Sequence, residues 1–305
     1  MNIAILSKGP GNYSTKRLVE EAKKRGHDVQ VINYLQCEAR IQQNNPVILY
    51  NGEVLSGIDA IIPRIASSNT RYGSAVVRQF EMQGVFTTAS SIAIVRSRDK
   101  LRSIQLLARA GIGIPKTIFS RGMADVDNII EELGGLPIII KLARGTHGRG
   151  VVLAETRKAA RSVLQGFYLM EEEGTNILLQ EYIEEAEGSD IRAYVVGGKV
   201  VASMKRQSLN LEEEFRSNIH QGGTGTSIKL TDEERKVAVK AAKAMGLSIA
   251  GVDLIRSKRG PLVLEVNSSP GSSIEQVTGR NVVEKVIEYV ERNAKARRRK
   301  DRVGA

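Results

Sequence analysis

Asp253 is the one charged side chain in an otherwise apolar run at 249–255, and Glu265 and Asn267 stand two residues apart in a second apolar run at 262–267. A strand alternates its side chains between two faces, so Val263, Glu265 and Asn267 are expected on one side and Leu262, Leu264 and Val266 on the other. The polar turn Ser257-Lys258-Arg259-Gly260 joins the runs. A hairpin closing through Lys258 to Gly260 pairs Ser257 with Pro261 and sets Asp253 opposite Glu265. Facing acids destabilise a sheet unless something positive stands between them. An Asp/Glu/Asn set of hard oxygens on rigid strands suits Mg²⁺, which takes few protein ligands and leaves positions for water and substrate phosphates. Lys or Arg side chains would neutralise the acids as well, and on the hairpin alone the two readings weigh the same.

A second constellation lies upstream. Lys141 is the lone charge in the strand-like run 137–142, and it is followed by Gly145, Gly148 and Gly150. Three glycines in six residues let backbone N–H groups approach an anion closely. The loop lacks the Gly-Lys-Ser/Thr ending of a P-loop and runs from strand to strand, so it reads as a hairpin lid over phosphates. A lysine inside an apolar strand costs desolvation energy unless an anion pairs with it. Farther on, the run Gln180-Glu181-Tyr182-Ile183 leads to Asp190 and Arg192, and Lys205, Arg206, Arg216 and Asn218 supply cations and an amide before the acidic hairpin.

The elements that must position these residues divide the chain. Residues 2–6, 28–32 and 59–65 read as strands and 14–25 and 73–83 as helices, with an Asn51-Gly52 hairpin between, a small α/β domain with a largely parallel sheet. Its first turn, Gly9-Pro10-Gly11-Asn12-Tyr13-Ser14, lacks the third glycine of the dinucleotide fingerprint and reads as a tight loop before a capped helix; no NAD site is expected. After a helical stretch at 92–110, Ile112-Gly113-Ile114-Pro115 marks a change to α+β. There, strands at 116–119, 136–143, 151–154 and 177–183 surround helices at 125–133 and 158–172. A hairpin at 191–204 turns at Gly197-Gly198, and a helix at 231–245, the two acidic strands and a helix from Val282 follow.

Composition bounds the function. A chain of 305 residues has room for two or three subdomains. No apolar run reaches the roughly 18 residues of a membrane span. The chain opens directly into a strand without a signal-peptide pattern, and a single cysteine, Cys37, excludes an internal disulfide, so a cytoplasmic location is expected. His27, His147 and His220 lack zinc spacing. Of the net charge of +11, the stretch from Arg292 to Arg302 carries +6 and the rest only +5. Such a tail is a solvated helix end or a handle for an acidic partner, and the lack of aromatic residues argues against specific nucleic-acid binding.

In order and spacing these segments resemble the ATP-grasp superfamily, and within it the RimK-type alpha-L-glutamate ligases. The resemblance is carried by Arg98-Asp99-Lys100-Leu101-Arg102-Ser103, the Lys141 strand with its glycine loop, Gln180-Glu181-Tyr182-Ile183, Ser189-Asp190-Ile191-Arg192, Phe215-Arg216-Ser217-Asn218, Ala250-Gly251-Val252-Asp253 and Leu264-Glu265-Val266-Asn267-Ser268-Ser269-Pro270-Gly271. It implies an α/β and α+β fold: a Rossmann-like pre-ATP-grasp domain at 1–92, a two-lobed ATP-grasp domain at 93–292 (lid lobe about 115–185, metal lobe about 186–292) and a basic tail at 293–305. It implies that Lys100, Lys141 and the glycines at 145, 148 and 150 contact ATP phosphates, and that the main chain of Glu181, Tyr182 and Ile183 faces adenine. Asp190 would lie near the nucleoside, Arg216, Ser217 and Asn218 would reach the transferring group, and Lys141, Arg206 and Arg216 would be the catalytic cations. Asp253, Glu265 and Asn267 would hold two Mg²⁺ or Mn²⁺ ions.

The implied reaction adds L-glutamate to the C-terminal carboxylate of a small-subunit ribosomal protein or an oligoglutamate chain. ATP would activate the carboxylate as an acyl phosphate, releasing ADP and phosphate, and the working form would be a homo-oligomer. Positioning and charge neutralisation carry phosphoryl transfer, which accounts for a site rich in Lys, Arg and metal ligands with no Ser/His/Asp triad. The polar segment 207–214 and the arginine-rich tail depart from the family pattern, and both bear on the acceptor. A small cofactor-type carboxylate is the alternative acceptor, and a ribosome- or RNA-binding protein with a vestigial ATP site is the alternative class.

Overall fold

The computed structural model describes residues 1–121, 125–142, 150–169, 176–208 and 224–294. In the first domain β1 (Asn2–Leu6) leads through α1 (Tyr13–Lys24) to β2 (Asp28–Ile32). A small antiparallel sheet follows, of β3 (Cys37–Arg40), β4 (Val47–Tyr50) and β5 (Glu53–Val54), then β6 (Ala60–Pro63), α2 (Thr70–Met82) and β7 (Phe86–Thr87). The parallel strands lie in the order β2-β1-β6-β7. Ile3, Ala4, Ile5 and Leu6 are all fully buried, as a parallel strand covered on both faces requires. Ala4 and Leu6 pack with Val76, Val77 and Phe80 of α2, while Ile3 and Ile5 pack with Leu18 and Ala22 of α1. The β4–β5 turn has Asn51 and Gly52 both at positive φ (53° and 82°), the backbone that Asn-Gly adopts most readily.

The stretch at 92–110 is helical but broken into α3 (Ser91–Arg98) and α4 (Lys100–Arg109). Asp99 leaves the helix at φ −85°, ψ 104° and accepts a hydrogen bond from the Arg102 N–H at 3.0 Å. An Asp side chain that caps the next helix ends the previous one, and Lys100 thereby becomes the first residue of α4.

The lid lobe comprises β8 (Thr117–Ser120), α5 (Val126–Leu133), β9 (Ile138–Leu142), β10 (Val151–Ala154), α6 (Arg157–Leu169) and β11 (Ile177–Glu181). Its antiparallel sheet has the order β10-β9-β11-β8. Ile138, Ile140, Ile177 and Leu179 bury against Val126, Ile130, Leu133, Ala160 and Leu164. The alternate residues Ile139, Lys141, Leu178 and Gln180 therefore project from the other face.

The remaining lobe contains β12 (Ser189–Val196), β13 (Lys199–Gln207), β14 (Thr224–Ser227), α7 (Asp232–Met245), β15 (Ile249–Ser257), β16 (Gly260–Asn267), α8 (Ile274–Thr278) and α9 (Val282–Ala294). The strands are antiparallel in the order β14-β13-β12-β15-β16. One face, with Ile191, Ala193, Val252 and Leu254, joins the core under α7. The opposite face is apolar at one end, where Tyr194 and Met204 pack towards α9, and charged at the other. Among the described residues no helix is long and apolar enough to cross a membrane.

Candidate active site

Asp253 pairs with Glu265 across the β15–β16 ladder, and Gly251 pairs with Asn267. The hairpin closes one residue tighter than its turn suggests: Ser257 pairs with Gly260 and Arg256 with Pro261. A bulge restores the offset, because Leu254 pairs with Val263 while Asp253 pairs with Glu265, leaving Leu264 as the extra residue. The bulge also breaks the alternation of faces. Val263, expected beside Glu265, is buried with Val266 in the core instead. Asn267 Nδ2 donates to Glu265 Oε1 at 2.9 Å.

The two acids differ in their partners. Arg192 stands opposite Asp253 on β12 and grips it with Nε to Oδ1 at 2.5 Å and Nη2 to Oδ2 at 2.6 Å. Arg206, opposite Asp190 on β13, donates from Nε to Asp190 Oδ1 at 2.6 Å and from Nη2 to Asp190 Oδ2, and its Nη2 forms an ion pair with Asp253 Oδ2 at 3.0 Å. Gly251 makes room: a Cβ there would lie 3.0 Å from Pro270 Cβ and 3.3 Å from Arg192 Cδ. Burial favours the neutral acid at Asp253, yet Arg192 and Arg206 hold it well below the usual carboxylate range. Glu265 has no ion-pair partner among the described residues; although exposed at the surface, it is pushed up by desolvation from the surrounding protein groups and by the Asp253 charge. The salt-bridge reading of the hairpin is thus realised at Asp253 and not at Glu265.

These residues fit a hard divalent ion. Among the described residues Asp253 Oδ1 accepts only from Arg192 and keeps a lone pair, Oδ2 faces both guanidiniums, Glu265 accepts only the Asn267 amide, and the Asn267 amide oxygen is opposite the nitrogen that donates to Glu265. Among the described residues no three His, Cys, Asp or Glu gather as a metal cluster. An ion here would rest on two carboxylates and one amide oxygen, with its other positions open.

From the lid lobe, Lys141 Nζ donates to Gln180 Oε1 at 2.5 Å, and Gln180 Nε2 donates to Thr117 Oγ1 at 2.7 Å. Lys100 Nζ donates to the Leu142 carbonyl at 2.8 Å, which ties α4 to the end of β9. Burial brings the Lys141 ammonium down to about 8, with Glu265 drawing it up and Lys100 pushing it down. Burial lowers Lys100 as well, again opposed by Glu265. Lys100 of α4 and Lys141 of β9 thus both feel the charge of Glu265 on β16. Gly150 sits at φ 71°, where a Cβ would lie 2.8 Å from Leu142 Cδ1, and its carbonyl accepts the Leu142 N–H at 2.9 Å.

Glu181 ends β11 with its side chain taken by the Lys116 N–H and by Arg259. Lys258 N–H donates to Glu185 Oε1 at 2.8 Å, so the tip of the acidic hairpin is latched to the segment leaving the lid. Tyr182 is half-buried and Ile183 buried just past the ladder's end. Asp190 is buried in its ion pair with Arg206. Gly145, Gly148, Arg216, Ser217, Asn218 and the tail from 295 lie outside the described residues.

The first-domain loop at 9–14 is spent on structure. Asn12, at the head of α1, makes no side-chain cap, and Ser14 Oγ accepts the Ser272 N–H at 2.8 Å. Three site residues escape a sequence reading. Arg192 and Arg98 stand inside the motifs without any sign of what they touch, and Arg64 is a lone cation after a strand. Only the cross-strand register and the domain packing give them partners.

The RimK-like ATP-grasp domain model matches residues 97–290, and the RimK PreATP-grasp domain model matches residues 1–94. The chain is 57% identical over 304 residues, 99% of each chain, to a probable alpha-L-glutamate ligase of Picosynechococcus sp.. It is 54% identical over 303 residues, again 99% of each, to a probable alpha-L-glutamate ligase of Vibrio cholerae. In fold it is similar to the ATP-grasp ligase PsnB complexed with minimal precursor, Mg and ADP, with a TM-score of 0.72 at 18% identity, covering 96% of this chain and 98% of the other.

Proposed function

The chain belongs to the RimK family of ATP-grasp ligases, and on that premise we propose that it joins L-glutamate to the C-terminal carboxylate of a protein acceptor. The acceptor in this reading is a small-subunit ribosomal protein, or the oligoglutamate chain growing from it, in the cytoplasm. The observation that carries the reading is that Lys141, with Lys100 tied to the end of its strand, feels the charge of Glu265, which pairs across the ladder with Asp253 and accepts the Asn267 amide. The names of relatives more than half identical over nearly the whole chain support glutamate as the amino acid.

A carboxylate resists attack by an amine, so ATP first phosphorylates it. The acyl phosphate is then displaced by the amine of glutamate, leaving an amide, ADP and phosphate. Lys141 and Lys100 would bind the phosphates and offset the charge on the transferring group, with Gly150 closing the loop that covers it. The main chain of Glu181 to Ile183 would meet adenine, over the plate of Ile139 and Leu178. Asp190 would border the nucleoside while it positions Arg206, whose guanidinium, like Arg216, would face the developing negative charge. Asp253, Glu265 and Asn267 would hold two Mg²⁺ or Mn²⁺ ions, which when bound neutralise the triphosphate and polarise the γ-phosphoryl group. Lid closure keeps water from the acyl phosphate.

Incubation with ATP, L-glutamate, divalent metal and purified ribosomal proteins, followed by mass spectrometry and nucleotide analysis, tests this reading. One protein gaining whole glutamyl units with matching ADP release is the expected result. AMP and pyrophosphate as products, or glutamate arriving only on small metabolites, would overturn it.

A further inference from the structure

Two guanidiniums at the seam between the first domain and the acidic sheet make no ion pair with any described residue. Arg64 directly follows β6, and its Nη1 donates to the Pro270 carbonyl at 2.5 Å. Arg98 ends α3; its Nη2 donates to the Ile65 carbonyl at 2.9 Å and its Nε to Ser268 Oγ at 3.4 Å. Among the described residues neither makes an ion pair, whereas Arg192 and Arg206 are each gripped by a carboxylate. Burial lowers both Arg64 and Arg98; at Arg98 the charge of Glu265 opposes that effect and the charge of Arg64 adds to it. Guanidiniums desolvated against carbonyl dipoles alone are costly, and an arriving anion would remove much of that cost.

Their place in the fold suits a ligand. In the order β2-β1-β6-β7 the chain runs from β1 to one side through β2 and later to the other side through β6, so the sheet reverses direction between β1 and β6. Ligands of open α/β sheets bind outside the carboxyl ends of the strands at such a point. Ser7 leaves β1 there and Arg64 leaves β6 there. The segment 268–272, which continues the strand of Glu265 and Asn267, lies against both: Ser269 Oγ donates to the Pro63 carbonyl at 3.4 Å, and the Ser272 N–H donates to Ser14 Oγ. The pair is therefore next to the candidate phosphate cleft but set on the first-domain side of it.

The geometry points to Arg64 and Arg98 as a binding site for a carboxylate of the incoming amino acid, one that does not react. This rests on the ligase reading above. Lys100, Lys141 and the acids account for nucleotide charge, which leaves these two cations for a different anion. A carboxylate held by guanidiniums is a poor nucleophile, so the site suits a spectator group and not the carboxylate to be phosphorylated. An amino acid anchored here by a carboxylate would present its amine towards Glu265 and the acyl phosphate.

The test compares wild type with Arg64→Gln, Arg64→Lys and Arg98→Lys in steady-state turnover, with melting temperature as the fold check. The expected result is a tenfold or greater rise in KM for L-glutamate in Arg64→Gln, partial recovery in Arg64→Lys, a rise in Arg98→Lys, and KM for ATP within twofold of wild type. L-glutamine and the α-amide of glutamate separate the two carboxylates: the analogue that lacks the anchored one is poor with wild type and loses nothing further in Arg64→Gln. An unchanged KM for glutamate in Arg64→Gln, or a rise confined to ATP or the acceptor, would overturn the assignment while leaving the ligase reading intact. Wild type that consumes no glutamate would overturn both.

Discussion

Asp253 and Glu265 face each other on neighbouring strands, yet among the described residues two arginines pair with Asp253 and none pairs with Glu265. By sequence alone the two acids look equivalent. The packing gives them different work, since Asp253 is a structural counter-ion as well as a candidate ligand, whereas Glu265 makes no ion pair among the described residues and accepts only the Asn267 amide at 2.9 Å.

Substitution should separate them. Glu265→Gln is expected to keep the wild-type melting temperature and lose metal-dependent ADP release. Asp253→Ala should lose turnover and also about 3–5 kcal/mol of stability, because it strands Arg192 and half of Arg206 in a buried site. Urea unfolding of both variants checks this, and equal stabilities would remove Asp253 from the counter-ion role.

Lys141 makes nucleotide binding sensitive to pH. Burial pushes its ammonium down to about 8, from an ordinary 10.5. Between those values the unfolded chain holds a proton that the folded chain has released, so this group makes stability rise with pH across that window. Phosphate binding favours the charged form, and ATP should therefore bind with proton uptake near pH 9. Calorimetry in buffers of different ionisation enthalpy measures that uptake, which Lys141→Met should abolish.

The latch between Arg259 and Glu181 is a surface pair, worth roughly 0–1 kcal/mol to the fold. Its larger effect should be on the nucleotide, since it holds the main chain at the end of β11. Arg259→Ala is expected to leave the melting temperature near wild type and raise KM for ATP several-fold with kcat little changed. Unchanged KM would make the latch incidental.

Helix α7 provides a control far from the chemistry. Thr231 and Glu234 form a reciprocal cap, with Thr231 Oγ1 accepting the Glu234 N–H at 3.1 Å and Glu234 Oε2 accepting the Thr231 N–H at 2.8 Å. Thr231→Ala should cost about 1 kcal/mol in chemical denaturation and leave kcat/KM for ATP within twofold of wild type.

The strands and helices were largely legible, because period-2 and period-3.6 patterns record which face each segment buries. The pairing of Asp253 with Glu265 was also legible, although by two offsetting departures: the turn is one residue shorter, and the bulge at Leu264 returns the missing residue. Arg192 and Arg206 were not legible as partners of Asp253. Their contacts follow from the side-by-side order of β13, β12 and β15, and no local pattern encodes that order. Arg64 was the least visible, since its meaning comes from a carbonyl more than two hundred residues away. The break at Asp99 was hidden because α3 and α4 each look helical, and only the cap on Arg102 N–H divides them.

Lys100 has a further consequence through its bond to the Leu142 carbonyl. An ammonium has three hydrogens, and one spent on the lid leaves two for a phosphate. On the proposed function the same nitrogen would thus read two events, the presence of nucleotide and the position of the strand that ends at Leu142. Whatever free energy the bound nucleotide lends to lid closure, closure must return to nucleotide affinity in equal measure. On the proposed function, Lys100 would make the site a coincidence detector, committed only when cargo and cover arrive together.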